Sequence, residues 1–329
     1  MDALAEMLRV IRLDSAIYFN AECSEPWCIL TPESRKLAPV LARGAGHLII
    51  YHLLCEGRAW AQVLDGERVA LSAGDLVTFP HGHAHMLGGS RRAAPFDAGA
   101  ALPALLRRGL ELLHIGGDGE NARFICGFLA CDPLLSQAFL GGLPPLLKVN
   151  IRDDPSGQWL ENSLRFSVTE AASREESARA MLTKLSEALF AETLRRYVRS
   201  LPEGETGWLA GAGDAEVGRA LKLLHRKPAH PWTVAELARE AGLSRTVLAE
   251  RFRHFLGESP IAYLTRWRLR LGARALTATN RGVAQIASEA GYESEAAFNR
   301  AFKREYGLPP ARYRKEKAGE RAESPSSGR

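Results

Sequence analysis

The chain has no apolar run of the roughly 20 residues needed to cross a bilayer. It opens Met1-Asp2-Ala3-Leu4-Ala5-Glu6, without the basic start and apolar stretch of a secretion signal. These absences argue against membrane-spanning and exported classes and lead to the expectation of a cytoplasmic protein with no membrane partner. Cysteine is scarce: Cys23, Cys28, Cys55, Cys126 and Cys131 are an odd set confined to the N-terminal half. Reduced thiols therefore fit better than a disulfide framework. Positive excess is missing from residues 1 to 213, which carry 21 Lys+Arg against 25 Asp+Glu, whereas residues 214 to 329 carry 22 against 13, net +9. A length of 329 residues with 46% apolar content allows two domains, each with its own core.

What is present is a duplication. Val234-Ala235-Glu236-Leu237-Ala238-Arg239-Glu240-Ala241-Gly242 aligns with Val283-Ala284-Gln285-Ile286-Ala287-Ser288-Glu289-Ala290-Gly291 at an offset of 49, with six of nine positions identical. In the first copy Thr233 and Glu236 have the spacing in which each side chain satisfies a free backbone N–H at a helix start, and Trp232 with Leu237 forms a hydrophobic staple. Gly242 ends that helix because glycine enters the left-handed conformation without a Cβ clash. Ser244 caps a second helix running to about Phe255, with Leu248, Phe252 and Phe255 inward. The second copy places Phe298 and Phe302 inward, at an offset of 50 after one extra residue in its turn. Two short helices joined by a tight glycine turn make a helix-turn-helix unit.

Packed helices of any bundle can repeat in this way, and Arg266, Arg268, Arg270 and Arg274 between the copies could form a solvated face. The charge distribution decides for DNA, because the basic excess is confined to the half that carries the repeats. Ser259-Pro260 supplies a cap and a proline at the first helical position. A helix from Pro260 to about Leu276 spans roughly 25 Å. It is long enough to hold two recognition helices about one DNA turn, roughly 34 Å, apart.

The stretch from Asp214 to Arg314 resembles the DNA-binding domain of AraC/XylS-type transcriptional regulators, including Ala290-Gly291-Tyr292-Glu293-Ser294-Glu295 and Phe302-Lys303-Arg304-Glu305-Tyr306-Gly307-Leu308-Pro309-Pro310-Ala311-Arg312-Tyr313. The resemblance implies double-stranded promoter or operator DNA as the partner, with RNA polymerase a further one if the protein activates. Carried over by position, the base-reading residues are Thr246, Ala249 and Glu250 in the first unit and Glu295, Ala296, Asn299 and Arg300 in the second. Arg300 suits guanine, Asn299 adenine and Glu250 a cytosine amino group, while Ala249 and Ala296 offer methyl contacts. Ser244, Arg245, Arg251 and Lys303 read as phosphate contacts.

From about Tyr18 to Ile151 the texture changes to short runs rich in Val, Ile, Leu and aromatics, broken by turn residues. Ala59 to Leu64 and Glu67 to Leu71, joined by Asp65-Gly66, form the clearest hairpin signal. The run Gly74-Asp75-Leu76-Val77-Thr78-Phe79-Pro80-His81-Gly82-His83-Ala84-His85 matches the core of the second cupin motif, and this region resembles a cupin jelly roll. The first motif is partial. Gly46, His52 and Gly66 stand in place, but Leu54 replaces its second histidine and its glutamate falls near Ala59. These departures count against a catalytic metal and lead to the expectation that the chain is not an enzyme, the alternative being a metal-dependent cupin enzyme with an appended DNA-binding domain. A strand would turn His83 and His85 to one face. With His52 and Cys126 they could hold zinc or another divalent metal; the other reading is hydrogen-bonded histidines and a buried cysteine. The cupin domain is also a candidate site for a small-molecule effector. Oxidant sensing at Cys23, Cys28 or Cys55 would depend on thiol pKa and exposure.

Ala178, Met181, Leu182, Leu185, Leu189, Leu194, Tyr197 and Val198 follow helical spacing within a region from about Gln158 to Ser200. In the resembled regulators such helices commonly dimerise, which implies a homodimer. The expected fold is α+β and multidomain: a cupin-like β-barrel sensing domain over 1–155, a helical dimerisation and linker region over 156–205, an all-α double helix-turn-helix domain over 206–317 and a disordered tail over 318–329. Within it, 201–207 and Gly211-Ala212-Gly213 read as flexible joints, and Leu4, Leu8 and Ile11 suit an amphipathic helix or a strand entrance. A general DNA-coating protein is the remaining rival, but it leaves the paired recognition helices without a purpose. The direction of regulation, the effector and the operator are not legible in the sequence.

Overall fold

Among the described residues, the short β-rich runs of the N-terminal half become eleven strands: β1 Asp14–Ser24, β2 Cys28–Thr31, β3 His47–Glu56, β4 Arg58–Val63, β5 Val69–Ser72, β6 Asp75–Phe79, β7 His85–Gly88, β8 Phe96–Asp97, β9 Leu113–Gly116, β10 Asn121–Cys131 and β11 Leu147–Asn150. The structure is a computed structural model that describes residues 2–10, 14–42, 45, 47–132, 140–172 and 176–323. The strands form one sheet in the order β11-β6-β3-β10-β1-β9 and another in the order β5-β4-β7-β2-β8. Both are mixed, with β1 parallel to β9 and β2 parallel to β8. Among the described residues neither sheet closes on itself, so the expected barrel is seen as two open sheets. One core joins them, with Phe19, Leu48, Ile50, Phe79 and Phe124 from the first sheet and Ile29, Ala61, Leu71 and Leu87 from the second. The Asp65-Gly66 turn is present, with Asp65 at φ 65° and the Gly66 N–H donating to the Val63 carbonyl. Pairing of Ala61 with Val69 nevertheless makes the connection longer than the expected two residues.

Strand β3 is buried along nearly its whole length, as its continuous apolar run requires when both faces are covered. Besides α2 (Ser34–Leu41) and α3 (Ala98–Arg108), this unit contains α4 (Pro155–Ala172) and α5 (Glu176–Ser200) where one helical region was expected. Tyr51 on β3 shares a 2.7 Å hydrogen bond with Ser186 on α5, both buried. Arg152 ties α4 to the sheet by donating to Glu161 Oε2 and to the Cys55 carbonyl, each at 2.7 Å.

The second compact unit gathers α1 (Asp2–Val10) with the C-terminal helices α6 (Trp208–Gly213), α7 (Ala215–Arg226), α8 (Val234–Ala241), α9 (Arg245–Leu256), α10 (Pro260–Ala278), α11 (Val283–Glu289), α12 (Glu295–Tyr306) and α13 (Pro310–Glu323). The N-terminal segment is thus a helix that buries Ala3, Leu4 and Met7 against α6 and α7 instead of joining the strands. Leu8 is half-buried, and Ile11 lies outside the described residues. The segment 211–213, expected as a joint, is part of helix α6. Its glycine content reflects close packing, because a Cβ on Gly211 would stand 3.2 Å from Phe255 Cβ. Part of the expected tail is also helical, since α13 runs to Glu323; residues 324–329 lie outside the described set. No helix among the described residues is long and apolar enough to cross a membrane.

Helix α10 is built into two cores. Its first half supplies Tyr263, Leu264 and Trp267, with Tyr263 Oη accepting from Trp208 Nε1 at 2.8 Å and sharing a 2.6 Å hydrogen bond with His225 Nε2. Its second half supplies Leu269, Ala273 and Leu276 to a cluster with Ile286, Phe298, Phe302 and Tyr313. Burial pushes the His225 imidazole down to about 3. As pH falls below the ordinary histidine value of about 6.5, the unfolded chain takes up a proton here that the folded chain refuses. Stability contributed at neutral pH is therefore lost at about 1.4 kcal/mol per pH unit, down to the folded value. Urea midpoints followed by tryptophan fluorescence between pH 7 and 4 should show stability falling with pH, and His225→Gln should make that fall shallower by the slope of one proton.

Candidate functional site

Each recognition helix is set by a local cap. Thr233 Oγ1 accepts from the Glu236 N–H at 3.1 Å to start α8. The reciprocal half of the expected capping box is diverted, because the Glu236 carboxylate pairs with His230 Nε2 at 2.9 Å. Gly242 follows in the left-handed region at φ 79°, and Ser244 Oγ then caps α9 by accepting from the Val247 N–H at 3.3 Å. In the second unit α11 starts at Gly282 without a side-chain cap, and Gly291 makes the turn at φ 80°. Ser294 Oγ caps α12 by accepting from the Ala297 N–H at 3.2 Å. Leu248 and Phe252 in α9, and Phe298 and Phe302 in α12, are fully buried, while Phe255 is only half-buried. Both helices therefore keep one face for the interior and one for solvent.

The solvent faces carry most of the expected contact residues. Ser244, Arg245, Thr246 and Glu250 are exposed at α9, and Glu295, Ala296, Arg300 and Lys303 at α12; Ala249 and Asn299 are half-buried. Arg251 differs from its expected place. Its guanidinium is held by the carboxylate of Asp214 and, at 3.2 Å, by that of Glu216, so it tethers α9 to the start of α7. Among the arginines of the connecting helix, Arg268 is turned inward and donates to the carbonyls of Pro228 at 2.6 Å and His230 at 2.8 Å, and Arg266 is paired with Glu258. Sequence reasoning passed over Val247, an exposed valine on the first turn of α9. The signal was available: Val247 lies off the stripe that Leu248 and Phe252 define.

In the N-terminal unit only two of the four expected metal ligands meet. His52 Nε2 and His85 Nε2 are 2.8 Å apart, both rings buried, with His85 stacked on Phe79. His85 Nδ1 lies 2.9 Å from the His83 carbonyl, which can only accept. His85 therefore carries its proton on Nδ1 and accepts at Nε2, and His52 donates from Nε2. Burial lowers both imidazoles, which keeps the pair neutral. The remaining His52 Nδ1 is a buried acceptor without a partner among the described residues. His83 lies in the irregular segment before β7 and is exposed, so the strand alternation expected to align it with His85 does not apply. Cys126 is buried on β10 across from His52. Among the described residues no three His, Cys, Asp or Glu side chains gather as a metal set. The residues present thus do not fit a three- or four-ligand zinc centre. Gly46 of the first cupin motif lies outside the described residues. All five cysteines are buried and none is in a disulfide among the described residues, and burial pushes the Cys23 and Cys55 thiols up to about 12, where thiolate is scarce at neutral pH.

A family model described as Cupin matches residues 2–199, and one described as Helix-turn-helix domain matches residues 237–316. An AraC-like transcription regulator of Streptomyces lividans is 31% identical over 96% of this chain and 98% of its own length. One of Streptomyces antibioticus is 32% identical over 96% and 99%. The chain belongs to the AraC-type family of transcription regulators. The regulator AlkR of Acinetobacter baylyi is 27% identical over 96% of this chain and its full length.

For this AraC-type regulator the two kinds of arginine should separate in salt titrations of DNA binding. Arg245→Ala, which removes an exposed cation, should reduce the slope of log affinity against log salt by about one. Arg251→Ala should leave that slope unchanged and lower the stability of the C-terminal unit by about 1 kcal/mol.

Proposed function

We propose that the protein is a sequence-specific regulator whose two helix-turn-helix units read two adjacent DNA submotifs, under control of an effector taken up by the cupin domain. The observation that carries the reading is the pair of capped helices, α9 and α12, each with a buried apolar stripe and an exposed face, joined through one helix common to both cores. Arg300 is exposed on α12, where its planar fork suits the two acceptors of a guanine.

The two open sheets are read as a jelly roll with a sensing role. The unpartnered Nδ1 of His52 favours a small guest with a hydrogen-bond donor over a divalent metal. Helix α1 is packed in the C-terminal unit, while β1, next along the chain, lies within the six-stranded sheet. A guest that prefers one arrangement of that sheet can therefore bias the DNA-binding unit through the chain itself, by its difference in affinity for the two states. Trp159 and Phe166, one heptad apart on α4, stand 65% and 64% exposed, which supports homodimerisation through this helix.

Selection of duplexes from random DNA by the full-length protein should yield two submotifs about one helical turn apart. Arg300→Ala should relax one base position at a cost of about 1–3 kcal/mol. Equal binding of selected and random duplexes would contradict sequence reading. Sedimentation of the same preparation at increasing concentration should show a dimer, and a monomer throughout would contradict the α4 assignment.

A further inference from the structure

The two recognition helices present different chemistry at matched positions. With an offset of 50, Thr246 corresponds to Ala296, Val247 to Ala297, Ala249 to Asn299 and Glu250 to Arg300. Over its first two turns α12 offers groups that can make paired hydrogen bonds, Asn299 and Arg300. Past Arg245, which is read as a phosphate contact, helix α9 offers carbon: the two methyls of Val247, one from Thr246 and one from Ala249, with Glu250 the only carboxylate. Val247 is 40% exposed, and among the described residues of the C-terminal unit it is the one large apolar side chain left so open. It lies in the first turn, its N–H bound by the Ser244 cap, and its β-branched side chain gives it a lower helix propensity than the alanine that occupies the matched position. Neither local structure nor packing accounts for it.

The N-terminal residues of a recognition helix are the ones that meet base edges in the major groove. The apolar group on those edges is the C5-methyl of thymine; guanine shows two acceptors, adenine an acceptor and a donor, and cytosine a donor. Methyl groups pressed against the other three bases would strip water from polar atoms and return no hydrogen bond. Glu250, which only accepts when ionised, adds a bias against guanine. Resting on the reading of the protein as a sequence-specific regulator, we propose that the first unit recognises its submotif through thymine C5-methyl groups, with Val247 a specificity-determining residue. The second unit reads by hydrogen bonds. The two halves of one site are then distinguished by different physical means.

The test replaces thymine with deoxyuridine, which deletes the methyl and keeps the base pair. The full-length protein first selects a site from random duplexes, and the submotif insensitive to Arg300→Ala is taken as that of the first unit. Uracil at one or more of its thymine positions should weaken binding by about three- to fivefold each, the value of one buried methyl. At one of these positions Val247→Ser should bind the thymine and uracil duplexes equally, while Val247→Ile should keep the preference. Uracil tolerated at every position of a well-bound selected site would overturn the methyl readout alone. A preference for thymine that survives Val247→Ser would overturn the assignment to Val247. If no site is enriched, the sequence-reading function fails, and this inference fails with it.

Discussion

Helix α10 belongs to two hydrophobic cores at once, and the arrangement of the C-terminal unit depends on that sharing. Tyr263, Leu264 and Trp267 complete the first core, and Leu269, Ala273 and Leu276 complete the second. Nineteen residues at 1.5 Å each give a rod of about 28 Å whose rotation and rise fix one core against the other. Gly272 shows how closely the second unit is seated. A Cβ there would come within 2.8 Å of the Phe298 ring, which explains a glycine inside a helix despite its conformational cost of about 1 kcal/mol. Since α9 and α12 are held by Phe252 and Phe298 in those same cores, the spacing of the recognition helices follows from one continuous backbone.

Charge in this unit divides into two uses. Net charge identified the half of the chain that meets DNA, yet several arginines are spent inside the fold. Arg268 fastens the turn before α8, Arg314 donates to the Leu276 and Arg281 carbonyls, and Arg251 is neutralised by Asp214 and Glu216. Open to phosphate at the two recognition helices are Arg245, Arg300 and Lys303, all exposed. Exposed carboxylates at Glu250 and Glu295 stand among these cations.

Much of this unit was legible in the sequence because its signals are local. Thr233, Ser244 and Ser259 cap the helices they precede, and Gly242 enters the left-handed turn its position called for. Signals that depend on tertiary partners were not legible. Gly211 and Gly213 read as a flexible joint, because nothing nearby in sequence reveals that Phe255 presses on the helix they belong to. Arg251 has the spacing of a phosphate contact, and its acids lie 35 or more positions away in the chain. His83 failed for a different reason: the period-two argument needs a strand, and β7 begins only at His85. The N-terminal helix showed its apolar face, but the unit that covers that face begins some two hundred residues later.

The central claim is that α10 holds the two reading helices at a fixed separation, and altering the spacing within the DNA site tests it most directly. Two base pairs inserted between the submotifs of a selected duplex should reduce affinity to that of a duplex carrying a single submotif, and five should do the same. Binding that is indifferent to both insertions would show that the two units move independently, and would contradict the account.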